Sequence, residues 1–420
     1  MLCVSFVALA ALWPQPRLEH AGWRPLPGGV GRILGSRPVE VACGVAGVAL
    51  LALVLVSGYV GPPTPLDNFA PPFIFIIFWV GVPFASVLFG DVFRAANPWR
   101  AIGRALFRDG VLRPYPEWLG RWPAAVALLG FTWIELASGW GEAPATLASA
   151  VAGYSLLTLA AMRVFGVEPW SRRGEAFGVY FNLFSRLSVF ETRDRVVGFR
   201  PLLSGLPRLD PVPGTVALVV VMIGTVTFDG LSQGPLWKDL AVQLNDGLAS
   251  LGVGLGTTPK LVSTIGLLIG VTIAGGFYTL GIEGARTVGG DHDAERLRRG
   301  FVHSLVPIAM VYVAAHYLTF LLSEGQSIFY LASDPFGEGW NLFGTADAGI
   351  DYGLIGQNAA WYLEVAFVVC GHVAALVLAH DRALVLYRDS RLAVRSQYWM
   401  LAVMVGFTSL ALWLLAQAGK

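Results

Sequence analysis

Few side chains in this sequence can do chemistry, and those that can stand inside apolar runs. The stretch VPIAMVYVAAHYLTFLLSEG carries His316, with Tyr312, Thr319 and Ser323 on the same helical face. WYLEVAFVVCGH brings Glu364, GFTWIELASGW brings Glu135, and TVTFDG brings Asp229. An imidazole and carboxylates are a ligand set for a divalent metal, which would acidify a bound water; His316, Glu364, Glu135 and Asp229 are the candidate ligands. Without a metal, His316, Glu364 and Glu135 would share a general-base or proton-relay role supported by Tyr312. An ionisable group within lipid costs on the order of several kcal/mol unless it meets a partner or water, which is why each is singled out. The plainer alternative makes His316 a satisfied hydrogen-bonder between helices and Asp229 a helix-end residue at the interface.

Residues of this kind need elements to hold them, and composition says which. Of 420 residues, 55% are hydrophobic and 14% charged, against roughly 25% charged in soluble domains. Apolar runs of the length that crosses a bilayer, about 20 residues, fall near 41–60, 72–90, 122–139, 147–165, 214–230, 260–281, 301–323, 357–380 and 397–416. MLCVSFVALAALW is apolar but short, so residues 1–13 are expected to be a truncated first span whose remainder lies upstream. The expected fold is all-α: one integral membrane domain over 1–420, a polytopic transmembrane helix bundle of about ten spans with short interfacial helices. Within 166–213, Phe177, Phe181, Phe184 and Leu187 recur at helical spacing, predicting a helix lying flat on the membrane. Within 231–259, Leu236, Leu240, Leu244, Leu248 and Leu251 predict a surface or re-entrant helix. The glycine- and aromatic-rich segment 324–356 is placed to cap a cavity.

Charge then orients the bundle. Of the 29 basic residues, 26 are arginines confined to alternate segments, 14–40, 91–121, 163–213, 282–300 and 381–396; the rest are Lys238, Lys260 and Lys420. This asymmetry makes the arginine segments cytoplasmic and both termini extracytoplasmic, in a multi-pass protein of the cytoplasmic membrane. Glu135 then lies about 6 Å, and His316 and Glu364 about 10 Å, from the outer ends of their spans. His303 and His380 fall at cytoplasmic boundaries, and His372 lies deeper. The arginines stand beside acidic residues and serve topology, so no nucleic-acid surface is expected. Cys3, Cys43 and Cys370 lie in apolar spans without CxxC spacing, and no disulfide is expected. No HExxH, GxSxG or Walker A motif announces a reaction.

Longer strings carry a resemblance. FIFIIFWVGVPFASVLFGDVFRAANPWRAIGRAL, DRVVGFRPLLSGLPRLDPVPGT, AAHYLTFLLSEGQSIFYLASDPFG and GHVAALVLAHDRAL resemble the multi-pass membrane proteins, common in actinobacteria, known as fenitrothion hydrolases. The resemblance runs over nearly the whole chain from the first arginine-rich loop onward. It implies hydrolysis of a hydrophobic organophosphate-type ester, and it carries no catalytic residues onto particular positions. Joined to the residues above, it makes the expected function attack of water at phosphorus in an outward-facing intramembrane site. The substrate is a hydrophobic small molecule that enters sideways from the lipid bilayer. The alternative is a transporter or ion-coupled permease using the same His and Glu residues. A haem or quinone protein using His303, His316 or His372 fits less well, because no two of them share a depth. From the arginine asymmetry, reporter fusions after Leu112 and Leu392 should read cytoplasmic and one after Gly344 external; an external signal from the Leu392 fusion would overturn the topology.

Overall fold

The computed structural model describes residues 1–107, 110–288, 293–387 and 389–418, with side chains as far as 413. Each expected span is a helix. These are α2 (Arg37–Val60), α3 (Ala70–Phe89), α5 (Trp122–Trp133, continued by a π-helical turn over Ile134–Ser138), α6 (Pro144–Phe165), α8 (Thr215–Gln233), α10 (Thr258–Arg286), α11 (Val306–Ser323), α12 (Gln357–Leu386) and α13 (Ser390–Ala418). Seven stretches are long and apolar enough to cross a membrane among the described residues. Proline stands in the first turn of α2, α5, α6, α10 and α11, where its missing N–H has no helical partner to lose and its fixed φ starts the helix. The apolar helix α1 (Leu2–Leu12) packs on α12 and α13. Asp381 tethers the chain just beyond α1, accepting from the Trp13 indole at 3.0 Å and from the Arg17 backbone N–H at 2.7 Å.

Helices α8 and α10 approach each other backbone to backbone. A Cβ on Gly224 would lie 2.4 Å from the Val271 Cα, and one on Gly270 would lie 2.7 Å from the Gly224 carbonyl oxygen. Between membrane helices, where lipid supplies no apolar drive to associate, such glycine contacts let dispersion and weak polar contacts accumulate. α11 packs against both α8 and α12, and α10 against α13, so the two-glycine crossing lies within the helices that carry the polar residues.

Helix α7 (Ala176–Ser185) corrects the expectation for 166–213. It does not lie flat on a surface but is built into the bundle, with Phe177, Tyr180, Phe181 and Phe184 all buried. Its periodic phenylalanines suggest one apolar face, yet Val179, Tyr180 and Leu183 carry the apolar surface around most of the helix, with Asn182 donating to Asp91 at 2.7 Å, and such a helix is driven inside. Phe177 and Phe181 pack edge-on against Phe78, and Tyr180 stacks on Trp79 at 4.7 Å. A helix start buried at this depth leaves backbone donors to satisfy. Glu175 does so, accepting from the N–H groups of Phe177 and Gly178 at 2.9 and 2.7 Å, and also from Asn97 and Tyr154. The segment 231–259 does contain a helix, α9 (Pro235–Ser250), anchored by buried Trp237 with Leu236 and Leu240 exposed.

A small sheet, absent from the expectations, sits at the arginine-rich end: β1 (Arg24–Pro25), β2 (Phe190–Arg193) and β3 (Val196–Phe199), antiparallel in the order β1-β3-β2. Asp194 and Arg195 join β2 to β3 with φ of 45° and 64°, the two positive values of a primed hairpin turn. Nearby, helix α4 (Pro98–Leu106) presents Arg100 and Arg104 to Glu40 and Glu168 at 2.7–2.9 Å. Burial pushes the Glu168 carboxyl up, but the charges and hydrogen bonds of Arg100, Arg104 and Arg94 outweigh it and hold the group below the ordinary carboxylate range. From the glycine crossing, Gly224→Val should destabilise the detergent-solubilised protein by about 1–3 kcal/mol, the usual cost of overpacking, whereas Gly276→Val, with open space at its Cβ, should not; thermal melts of the two variants decide it.

Candidate functional site

At the arginine-poor end a cavity of about 840 Å³ opens between α3, α5, α8, α10 and α11. Two of its walls are wound unusually. Helix α3 is π-helical over Phe73–Gly81, where Val82 N–H reaches back to Ile77 O and Pro83 has no N–H to give. Helix α5 ends in the π turn Ile134–Ser138. Widened turns of this kind recur at functional sites because they re-aim side chains without ending the helix. Here they bring Phe75 and Glu135 to the cavity wall.

The centre of the cavity is a hydrogen-bonded trio. His316 Nε2 lies 2.9 Å from Asp229 Oδ2, and the Tyr317 hydroxyl donates to the same oxygen at 2.5 Å. Gln233, one turn beyond Asp229 on α8, lines the same cavity. With Asp229 ionised, the bond places the imidazole proton on Nε2 and leaves the Nδ1 lone pair unused. Gly230 contributes no side chain over that edge; a Cβ there would stand 3.9 Å from Nδ1. His316 keeps 21% of its side-chain surface, against 11% for Asp229, so the base is reachable and its partner is enclosed. Lys260 lines the mouth and forms no ion pair among the described residues.

The sequence candidates divide. His316 and Asp229 are brought together, and Asp229, a candidate ligand whose plainer alternative is a helix end, is 8% exposed and the hub of the trio. Glu135 lines the same cavity, and its Oε2 is buried without a hydrogen-bond partner. Glu364 is half-buried on α12, within electrostatic range of His316, but it does not line the cavity and makes no hydrogen bond or ion pair among the described residues. Tyr312 turns towards α13, stacking on Phe407 at 5.6 Å, and takes no part. Helical spacing groups it with His316, but a large ring swings to whichever neighbour offers an aromatic face. Segment 324–356 contributes nothing to the cavity wall, so it is not the cap expected. Tyr317 and Lys260 also belong to the site; Tyr317 sits beside the histidine in sequence, and Lys260 stands out as one of three lysines among arginines.

The fit to a metal is poor. No three His, Cys, Asp or Glu side chains gather closely enough to hold a metal ion among the described residues. His316 Nε2 is taken by Asp229 and Glu364 stands apart, so the four-ligand set His316, Glu364, Glu135 and Asp229 is not assembled. What is assembled is an acid-oriented imidazole beside a buried carboxyl and an ammonium, able to take a proton from a bound hydroxyl or water. Comparison with protein-family models, curated proteins and solved structures finds no match. The burial pattern predicts that diethyl pyrocarbonate modifies His316, while His303, His372 and His380, at 3%, 0% and 1% exposure, stay protected in the folded protein; peptide mass spectrometry reads the sites, and unmodified His316 would mean a closed cavity.

Proposed function

We propose that this chain is a membrane-embedded hydrolase of hydrophobic organophosphate-type esters, working in the cavity around His316. One observation carries it: an imidazole oriented by a carboxylate, with its second nitrogen unused, inside a cavity large enough for a small ester. Water bound against His316 Nδ1 attacks phosphorus; its proton passes to Nδ1 as the new P–O bond forms. Asp229 compensates the imidazolium, and Tyr317, donating to the same oxygen, keeps the carboxylate in place. The P–O bond to the leaving group breaks, and the departing oxygen takes the proton back from His316. Lys260 at the mouth offsets the negative charge that gathers on the phosphoryl oxygen. By the arginine asymmetry the cavity faces outward, and a lipid-soluble ester reaches it from the bilayer.

A second reading rests on Glu135. An unpartnered buried carboxyl is not needed for the water attack, whereas a transporter or ion-coupled permease needs a group that binds and releases a proton or cation within the membrane. The two separate experimentally. Purified protein should release p-nitrophenol-type product; Asp229→Asn and His316→Ala should each lower the rate roughly a hundredfold or more, and Tyr317→Phe about tenfold. Tyr312→Phe should leave the rate unchanged, since its ring faces α13. No product release, with proton-coupled uptake into proteoliposomes lost on Glu135→Gln, would sink the hydrolase and establish the carrier.

A further inference from the structure

A second large concavity lies at the opposite end of the molecule, on its lipid-facing side. It is a groove of about 1000 Å³ between α2 and α4. Its floor on α2 is the stripe Val41, Val45, Val48 and Ala52, at the i, i+4, i+7, i+11 spacing of one helical face, and Val41 and Val45 are more than half exposed. Ala101, Ile102 and Ala105 of α4 form the other wall. The groove extends from Arg37 to Ala52, about 22 Å along the helix. That is close to half of the roughly 40–45 Å that a bilayer measures with its headgroups, so the groove is one leaflet deep.

Its rim is cationic. Arg37, Arg104 and Arg195 stand at the arginine-rich mouth together with Glu40. Glu40 is already engaged, its Oε1 by Arg100 and Arg104 and its Oε2 by Arg195. Glu168 is likewise shared among Arg94, Arg100, Arg104 and Arg172. Two carboxylates therefore serve many guanidinium groups, and Arg37 has no ion-pair partner among the described residues. Arg195 reaches this rim from the β2–β3 turn, and only one of its nitrogens is spent on Glu40. An exposed apolar trough one leaflet deep, ending in surplus positive charge at headgroup level, has the shape and charge of one kind of occupant.

We propose that this groove binds an anionic phospholipid of the arginine-rich leaflet, its phosphate on Arg37 and Arg195 and an acyl chain along Val41, Val45 and Val48. The uncharged wall takes the tail of any lipid, and the rim selects the anionic ones. Binding here is independent of the chemistry proposed for the His316 cavity at the other end.

The test uses the full chain in detergent and native mass spectrometry, with phosphatidylglycerol and phosphatidylcholine of matched chains as probes. Phosphatidylglycerol should be retained at least tenfold better. Arg37→Gln with Arg195→Gln, both exposed and outside the core, should reduce that preference about tenfold or more, the effect of losing two surface cations. Val45→Trp, which fills the trough, should lower retention of both lipids, and Arg391→Gln, outside the groove, should change neither. Excess inorganic phosphate should not displace the lipid. Equal retention of the two lipids by the unaltered protein, an undiminished preference in the double variant, or displacement by phosphate would each overturn the proposal.

Discussion

A carboxylate at membrane depth must be answered by donors, and that requirement organises the arginine-poor half of this protein. Asp229 is 8% exposed on α8. Left alone there it would protonate or drag in water. Instead two consecutive residues of α11, His316 and Tyr317, converge on one of its oxygens. Consecutive helical residues point about 100° apart, so both reach one atom only if α8 is seated against the edge between them. Asp229 thereby fixes the rotation of α11. With α11 set, the imidazole and the phenol both face the cavity, the phenol the more enclosed of the two.

The spans and the outline of the site were legible for physical reasons that differ. Lipid removes water as an alternative partner for the backbone, so length and apolarity nearly suffice to mark a helix. Depth could be counted residue by residue, which put His316 and the carboxylates in one layer. Azimuth could not. Glu364 has the right depth but sits at the wrong angle, while Asp229 and Tyr317 are in place through inter-helix packing that no single segment encodes. The π segments escaped for a related reason: one extra residue per turn is a response to neighbours and to Pro83, and it leaves no period in the sequence.

Helix α7 is the sharpest case of pattern giving way to context. Phenylalanines at helical spacing describe a surface helix and an interior one equally well, and the difference lies in what fills the remaining positions. Glu175 holds the other half of the answer. By accepting from two backbone donors, an asparagine and a tyrosine, it lets a helix begin inside the protein, where an uncapped end would cost on the order of 1–3 kcal/mol for each orphaned donor. A lone glutamate in an aromatic stretch reads as a defect until those donors are in place.

The contact between Gly224 and Gly270 has a mechanical meaning. Backbone against backbone, with no side chain to compress, α8 and α10 can neither slide closer nor separate without losing their tightest packing, so what freedom they retain is angular about that point. Asp229 lies five residues outward of Gly224, about 7.5 Å, and Lys260 ten residues outward of Gly270, about 15 Å. Displacement grows with distance from a fulcrum. A tilt of a few degrees would move the carboxylate that holds His316 only about half as far as the ammonium at the rim, so the aperture can change width more than the imidazole shifts.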